Sequence, residues 1–152
     1  MGSVGCANSN RTAGVRRSPG MTVRTTAYTH NERDHRKYGR MTAAGTRLKY
    51  GNVRSAAADW SRFPVGTRFK IRGEPHLYVV EDYGNALVGT STIDLYTPSF
   101  RSMNRWGVRN VPIEILQWGS YDQSLRIMKP RSRHPHVREM VRSIEKRGGV
   151  RG

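Results

Sequence analysis

The chain has 152 residues, 36% of them apolar, and a formal net charge of +16, a size that fits one domain with tails rather than two cores. Its single cysteine, Cys6, excludes an internal disulfide and a Cys-rich metal centre. No run nears the ~18 apolar residues of a membrane-spanning helix.

The basicity is uneven. Residues 1–50 hold ten Lys/Arg against two acids, residues 51–118 eight against six, and residues 119–152 nine against three. A nearly neutral centre with basic flanks favours polyanionic partners: nucleic acid, anionic lipid or an acidic wall polymer.

Residues 1–20 offer almost nothing to bury and are expected to be a disordered basic segment. MTVRTTAYT (21–29) is rich in β-branched and aromatic residues and predicts a strand. The polar stretch 30–40 predicts a loop, and NVRSAAA (52–58) a second strand. Pro64 and Gly66 mark a connection. RFKIRG (68–73) alternates, with Phe69 and Ile71 on one face, and HLYVVED (76–82) is a further strand. Residues 83–91 form a loop with two glycines, and TIDLY (92–96) a short strand. Ser99 caps a predicted helix with Phe100, Met103 and Trp106 at helical spacing, ended by Gly107. NVPIEILQW (110–118) alternates again, through Val111, Ile113 and Ile115.

Beyond Gly119 the period becomes helical. SYDQSLRIM predicts a short helix. Residues 134–149 predict a longer one that starts at Pro135, carries Val137, Met140, Val141 and Ile144 on one stripe, and stops at Gly148-Gly149. Six short strands with close turn signals and one internal helix suggest a small closed barrel over residues 21–118, followed by a basic helical extension, 119–152.

Two polar groupings carry little chemistry. His30, Glu32, Asp34 and His35 share a loop, but Arg33, Arg36 and Lys37 beside them oppose a cation. No metal and no cofactor is expected. The arginines of the last helix lie opposite its apolar stripe, as on any solvated face, and no motif supports specific nucleic-acid binding. The aspartates differ. Aspartate is poor in strands, yet Asp59 and Asp82 close strands and Asp94 lies between Ile93 and Leu95. Alone, Asp82 reads as a turn residue and Asp94 as a side chain facing water.

Asp59, then FPVGTRFKI (63–71), VVEDYGNALVGTSTIDLY (79–96) and WGVRNVPIEIL (106–116), in that order, resemble the 3D domain, named for its three aspartates. TAYT (26–29) and MTAAGTRLKYG (41–51) resemble its opening segments. The family includes membrane-bound lytic transglycosylase A and bacterial stationary-phase survival proteins. The resemblance implies a mainly β fold, a six-stranded double-psi β-barrel. It implies lytic cleavage of the β-1,4 bond between N-acetylmuramic acid and N-acetylglucosamine, leaving a 1,6-anhydro end. It maps the family aspartates onto Asp59, Asp82 and Asp94, with Asp94 as catalytic acid and the other two raising its pKa and orienting it. Substrate contacts are expected at Tyr28, Thr42, Tyr83, Gly84, Asn85 and Gly89. The implied partner is the peptidoglycan glycan strand, with association with anionic membrane or wall polymers, acting as a monomer at the bacterial cell envelope. SVGC at residues 3–6 resembles the end of a lipoprotein signal, which would make Cys6 a lipidated anchor. The chain departs from the family at DYGNALVG (82–89), where Tyr83, Asn85 and Val88 stand in place of Thr, Gly and Lys. The second reading is therefore a non-catalytic barrel that binds peptidoglycan.

Overall fold

A computed structural model describes residues 20–32 and 38–151. Six strands form the barrel: β1 (Met21–Tyr28), β2 (Val53–Ala57), β3 (Arg68–Ile71), β4 (Leu77–Asp82), β5 (Ile93–Tyr96) and β6 (Arg109–Gln117). Three helices follow or interrupt them: α1 (Phe100–Trp106), α2 (Tyr121–Met128) and α3 (Pro135–Arg151). The expected basic N-terminal segment up to residue 19, Cys6, Asp34 and His35 lie outside the described residues.

The sheet closes in the order β1-β5-β2-β4-β3-β6. It is mixed: β1 pairs in parallel with β5 and β2 with β4, while the other four pairings are antiparallel. Neither parallel pair joins consecutive strands, so the chain must cross over between them. This interlocked closure is the double-psi barrel that the sequence implied. Closure also removes the exposed edges that a six-stranded sheet would otherwise offer to other chains.

The alternating strands send Val23, Ala56, Phe69, Ile71, Val80, Ile93, Leu95, Ile113 and Ile115 inward as one core. The same core continues into the C-terminal helices. Met128, Val137, Met140, Val141 and Ile144 are all buried against it, and the Sδ of Met140 accepts from the backbone N–H of Trp60 at 3.4 Å. Each such side chain contributes about 1.5–3 kcal/mol of apolar burial as an upper estimate. The last helix thus covers the barrel. It runs past the expected stop at Gly148-Gly149 to Arg151, since a glycine lowers helix propensity without forbidding the helix.

α1 forms with Ser99 as its cap, as expected, but Phe100 is exposed. Trp106 anchors α1 instead, through a 3.0 Å bond from its Nε1 to Thr25 Oγ1.

Candidate functional site

The barrel register aligns four residues in a row across neighbouring strands. Thr26 on β1 faces Asp94 on β5, Asp94 faces Ala57 on β2, and Ala57 faces Asp82 on β4. Residues in register point to the same face. Ile93 and Leu95 fill the core, so Asp94 points out of the barrel, on the face it shares with Asp82. Ala57, the small residue between them, leaves room for both carboxyls. A bulge at Ala56/Ala57 skips Glu81, which is what puts Asp82 opposite Ala57.

This outer face is only partly open to water. Leu48 from the 41–51 loop and Leu87 from the short 3₁₀ turn at Asn85–Leu87 pack over it, with Tyr28, Ala57 and Tyr96. They make an apolar roof over a pair of acids.

Asp82 is buried and fully engaged. Its Oδ1 accepts from the N–H of Ala43 at 3.0 Å and of Tyr83 at 3.3 Å, and its Oδ2 accepts from the Tyr28 hydroxyl at 3.3 Å. Burial nevertheless pushes its pKa up to about 6, against the lowering effect of those three donors and with help from Glu81. Asp94 is half-buried, and the Thr26 hydroxyl, 2.8 Å from its Oδ1, is the one hydrogen bond its carboxyl makes among the described residues. Burial raises Asp94 to about 6 too, aided by Glu32 and Asp82 and opposed by the Thr26 bond and Arg24. Burial, Asp82 and Asp94 together push Tyr28 well above its ordinary value, so its phenol keeps its proton. The result is one braced carboxyl beside one accessible carboxyl, both protonated in part near pH 6.

Aromatic rings flank the pair. Tyr96 lies edge-on to Tyr28 and to Tyr50, with centroids 5.7 and 6.3 Å away. Its hydroxyl sits 2.7 Å from His30 Nδ1. Tyr50 is exposed, with the Arg54 guanidinium 3.9 Å over its ring. His30 and Glu32 are thus engaged locally, Glu32 through Thr29 N–H at 3.2 Å, and no metal-type cluster of His, Cys, Asp or Glu occurs among the described residues.

Asp59 does not join the pair. It is buried, its Oδ1 accepts from the N–H and hydroxyl of Ser61 at 2.8 and 2.7 Å, and its Oδ2 accepts from Gly89 N–H at 2.8 Å. Gly89 has φ +86°, which suits glycine. Asp59 therefore pins one end of the 84–91 loop that carries Leu87 over the acids.

The expected substrate contacts divide. Tyr28 is at the site. Thr42 is spent within its loop, bonded to Thr46 Oγ1 at 2.8 Å. Gly84 and Asn85 lie on the roof, and Asn85 is exposed. Tyr83 turns the other way. Its ring meets Trp60 edge-on at 5.0 Å and His136 of α3 at 5.9 Å, and its hydroxyl is 3.3 Å from Arg131 Nη1. Its substitution thus matches the added helices, not the cleft. Arg131 also donates to the Ala43 carbonyl at 2.9 Å, and the N–H of that same residue holds Asp82. The C-terminal extension is one peptide away from the acid pair.

Sequence reasoning did not single out Thr26, Leu87, Tyr96, Glu81 or Arg131. Thr26 was signalled by the TAYT segment. Glu81 is buried and accepts from Thr46, Lys49 and Ser55, a tie between β4 and the 41–51 loop.

Residues 54–117 match the model of the 3D domain. Over that stretch the chain is similar to the 3D domain. The match spans β2 to β6 and includes all three aspartates. Two curated proteins of Bacillus subtilis (strain 168) are similar to it: the cell wall-binding protein YocH, 32% identical over 97 residues, and the putative cell wall shaping protein YabE, 34% identical over 97 residues. Each alignment takes in 63% of this chain but only 32% and 23% of those longer proteins. Among solved structures, an apo expansin from Clavibacter michiganensis aligns with 67% of this chain and 52% of its own, at 12% identity and a TM-score of 0.44.

Proposed function

We propose that this protein is a peptidoglycan lytic transglycosylase of the bacterial cell envelope, with Asp94 as its single acid and base. The observation that carries this reading is the pairing of an accessible, half-buried Asp94 with a fully hydrogen-bonded Asp82 under an apolar roof. An ordinary glycosidase uses two carboxylates, one as acid and one for water or covalent attack. Of the two carboxyls of this pair, that of Asp94 is the one free to meet a substrate.

A lytic mechanism needs no more than that. Protonated Asp94 gives its proton to the glycosidic oxygen as the C1–O bond breaks. The resulting carboxylate then takes the proton of the C6 hydroxyl on the same sugar, whose oxygen bonds to C1. The product is a 1,6-anhydro ring, no water is consumed, and Asp94 ends protonated as it began. The attacking hydroxyl is tethered, so proximity supplies much of the rate. A pKa near 6 lets the same group act as acid and as base close to neutral pH. Asp82, held by its three donors, fixes the wall beside Asp94, and Tyr28 stays a neutral donor next to it. Tyr50, which is exposed, offers aromatic surface to a sugar ring.

A second reading has its own support. YocH is named for binding the cell wall, and Val88 stands where the family pattern carries a lysine. On that reading the barrel holds glycan without cutting it. Incubating purified peptidoglycan with the protein and with Asp94→Asn separates the two. Soluble fragments released by the wild type and lost with Asp94→Asn support the enzyme. Two proteins that both sediment with the wall and release nothing support the binder.

A further inference from the structure

On another face of the molecule a recess of about 430 Å³ opens between the barrel and α3. Neither Asp82 nor Asp94 lines it. Its wall includes Trp118, Phe63, Ser91, Ser143, Glu139 and Arg147. Trp118 is 52% exposed, although it is a large aromatic on a folded domain. Phe63, buried, lies nearly parallel to it, at 11° with centroids 6.2 Å apart.

The backbone holds Trp118 firmly. At the next residue, Gly119, a Cβ would sit 2.1 Å from the Val65 carbonyl oxygen, so only glycine fits. Gly119 N–H donates to Thr67 Oγ1 at 3.0 Å and Ser120 N–H to the Val65 carbonyl at 3.0 Å. The exposed indole is therefore a platform on a pinned strand end, which lowers the entropy lost when something stacks on it.

The rim is polar but neutral in sum. Arg62 and Arg147 face Asp59 and Glu139 around the recess. Both guanidinia are already engaged: Arg62 with Ser91 Oγ at 3.1 Å and the Gly89 carbonyl at 3.0 Å, Arg147 with the Tyr121 hydroxyl at 2.8 Å. That disfavours a free anion as ligand. An aromatic face beside hydroxyl, carboxylate and guanidinium groups suits a neutral molecule with one apolar side and many hydroxyls. A pyranose ring has that form.

We infer that this recess is a second glycan-binding site, in which Trp118 stacks on the face of a pyranose. It lies outside the acid-pair cleft and does not depend on catalysis. Gly89 lines the recess while Leu87, two residues earlier, roofs the acids, so one short loop touches both places.

The test is an NMR titration of the whole chain with a soluble tetramer of β-1,4-linked N-acetylglucosamine. The expected result is movement of the Trp118 indole N–H signal; the Trp60 and Trp106 indoles, bonded to the Asp82 carbonyl and Thr25 Oγ1, report on the acid-pair side instead. Trp118→Ala should weaken binding at the recess about fivefold or more, and Trp118→Phe, which keeps a ring, should retain most of it. Unchanged Trp60 and Trp106 signals verify that the variants are folded. Signals that move only around Thr26 and Tyr28 would overturn this inference and leave the acid-pair reading standing. A titration in which nothing moves would overturn it as well. Trp118 moving while the Thr26 region stays still would support the recess and count against the cleft.

Discussion

Replacing Asp94 with Asn should disable the proposed chemistry and stabilise the fold at the same time, in a pH window set by the acid pair. In the folded protein Asp94 is raised from 3.8 to about 6, so ionising it is about 3 kcal/mol harder there than in the unfolded chain. Because the folded pKa is the higher one, the folded state binds more protons between about pH 4 and 6, and stability falls as pH rises through that range. The penalty is absent below the unfolded pKa and complete above the folded one. Asn cannot ionise, yet its carbonyl can still accept from Thr26, so the variant escapes the penalty and relieves Asp82 of a neighbouring charge. The two carboxyls titrate as a pair, so part of the gain is shared. The folded variant should gain about 1–3 kcal/mol near pH 8, or a Tm higher by about 2–12 °C for a chain of this size, and gain almost nothing near pH 3.5. Thermal unfolding of both proteins at the two pH values measures the difference directly. An Asp94→Asn protein equally stable with the wild type near pH 8 would refute the claim that Asp94 is held in an environment hostile to its charge.

The rate of peptidoglycan solubilisation should be flat in mild acid and fall about tenfold per unit above pH ~6 as Asp94 loses its proton; initial rates across that range decide it, and a rate still flat near pH 8 would exclude an acid of that pKa. Arg131→Ala should lower stability by about 1–2 kcal/mol in urea titration, because it leaves the Ala43 carbonyl and the Tyr83 hydroxyl without their donor. Gly119→Ala should cost more than about 4 kcal/mol or prevent folding, since its methyl would overlap the Val65 carbonyl; a Tm within a few degrees of wild type, on the order of 1 kcal/mol, would contradict the close approach.

The barrel was legible because its strands are short and bounded by turn residues, and some alternate clearly, as Phe69/Ile71 and Ile113/Ile115 show. The apolar stripe of α3 was legible for the same reason at a different period. Register was not. That Ala57 stands between Asp82 and Asp94 depends on a bulge that skips Glu81, and no local pattern announces a bulge. Three aspartates near strand ends suggested one shared site, but side-chain direction separates them: Asp82 and Asp94 meet on the outer face, and Asp59 turns to Gly89. Tyr83 looked like a change in the cleft because it follows Asp82. It lies just past the end of β4, and its ring packs on Trp60 and on His136 of α3 instead. Arg131 lies 88 residues from Ala43, and only the folded chain brings them together.

The most direct test of the central claim is the mass of the sugar ends formed when the protein acts on purified peptidoglycan in water enriched in heavy oxygen. Attack by the C6 hydroxyl predicts 1,6-anhydro ends, lighter by one water than hydrolysis products and free of the label, formed by the wild type and not by Asp94→Asn. Ends carrying one labelled oxygen would contradict the account, because they would show that water, activated by a second carboxylate, had broken the bond.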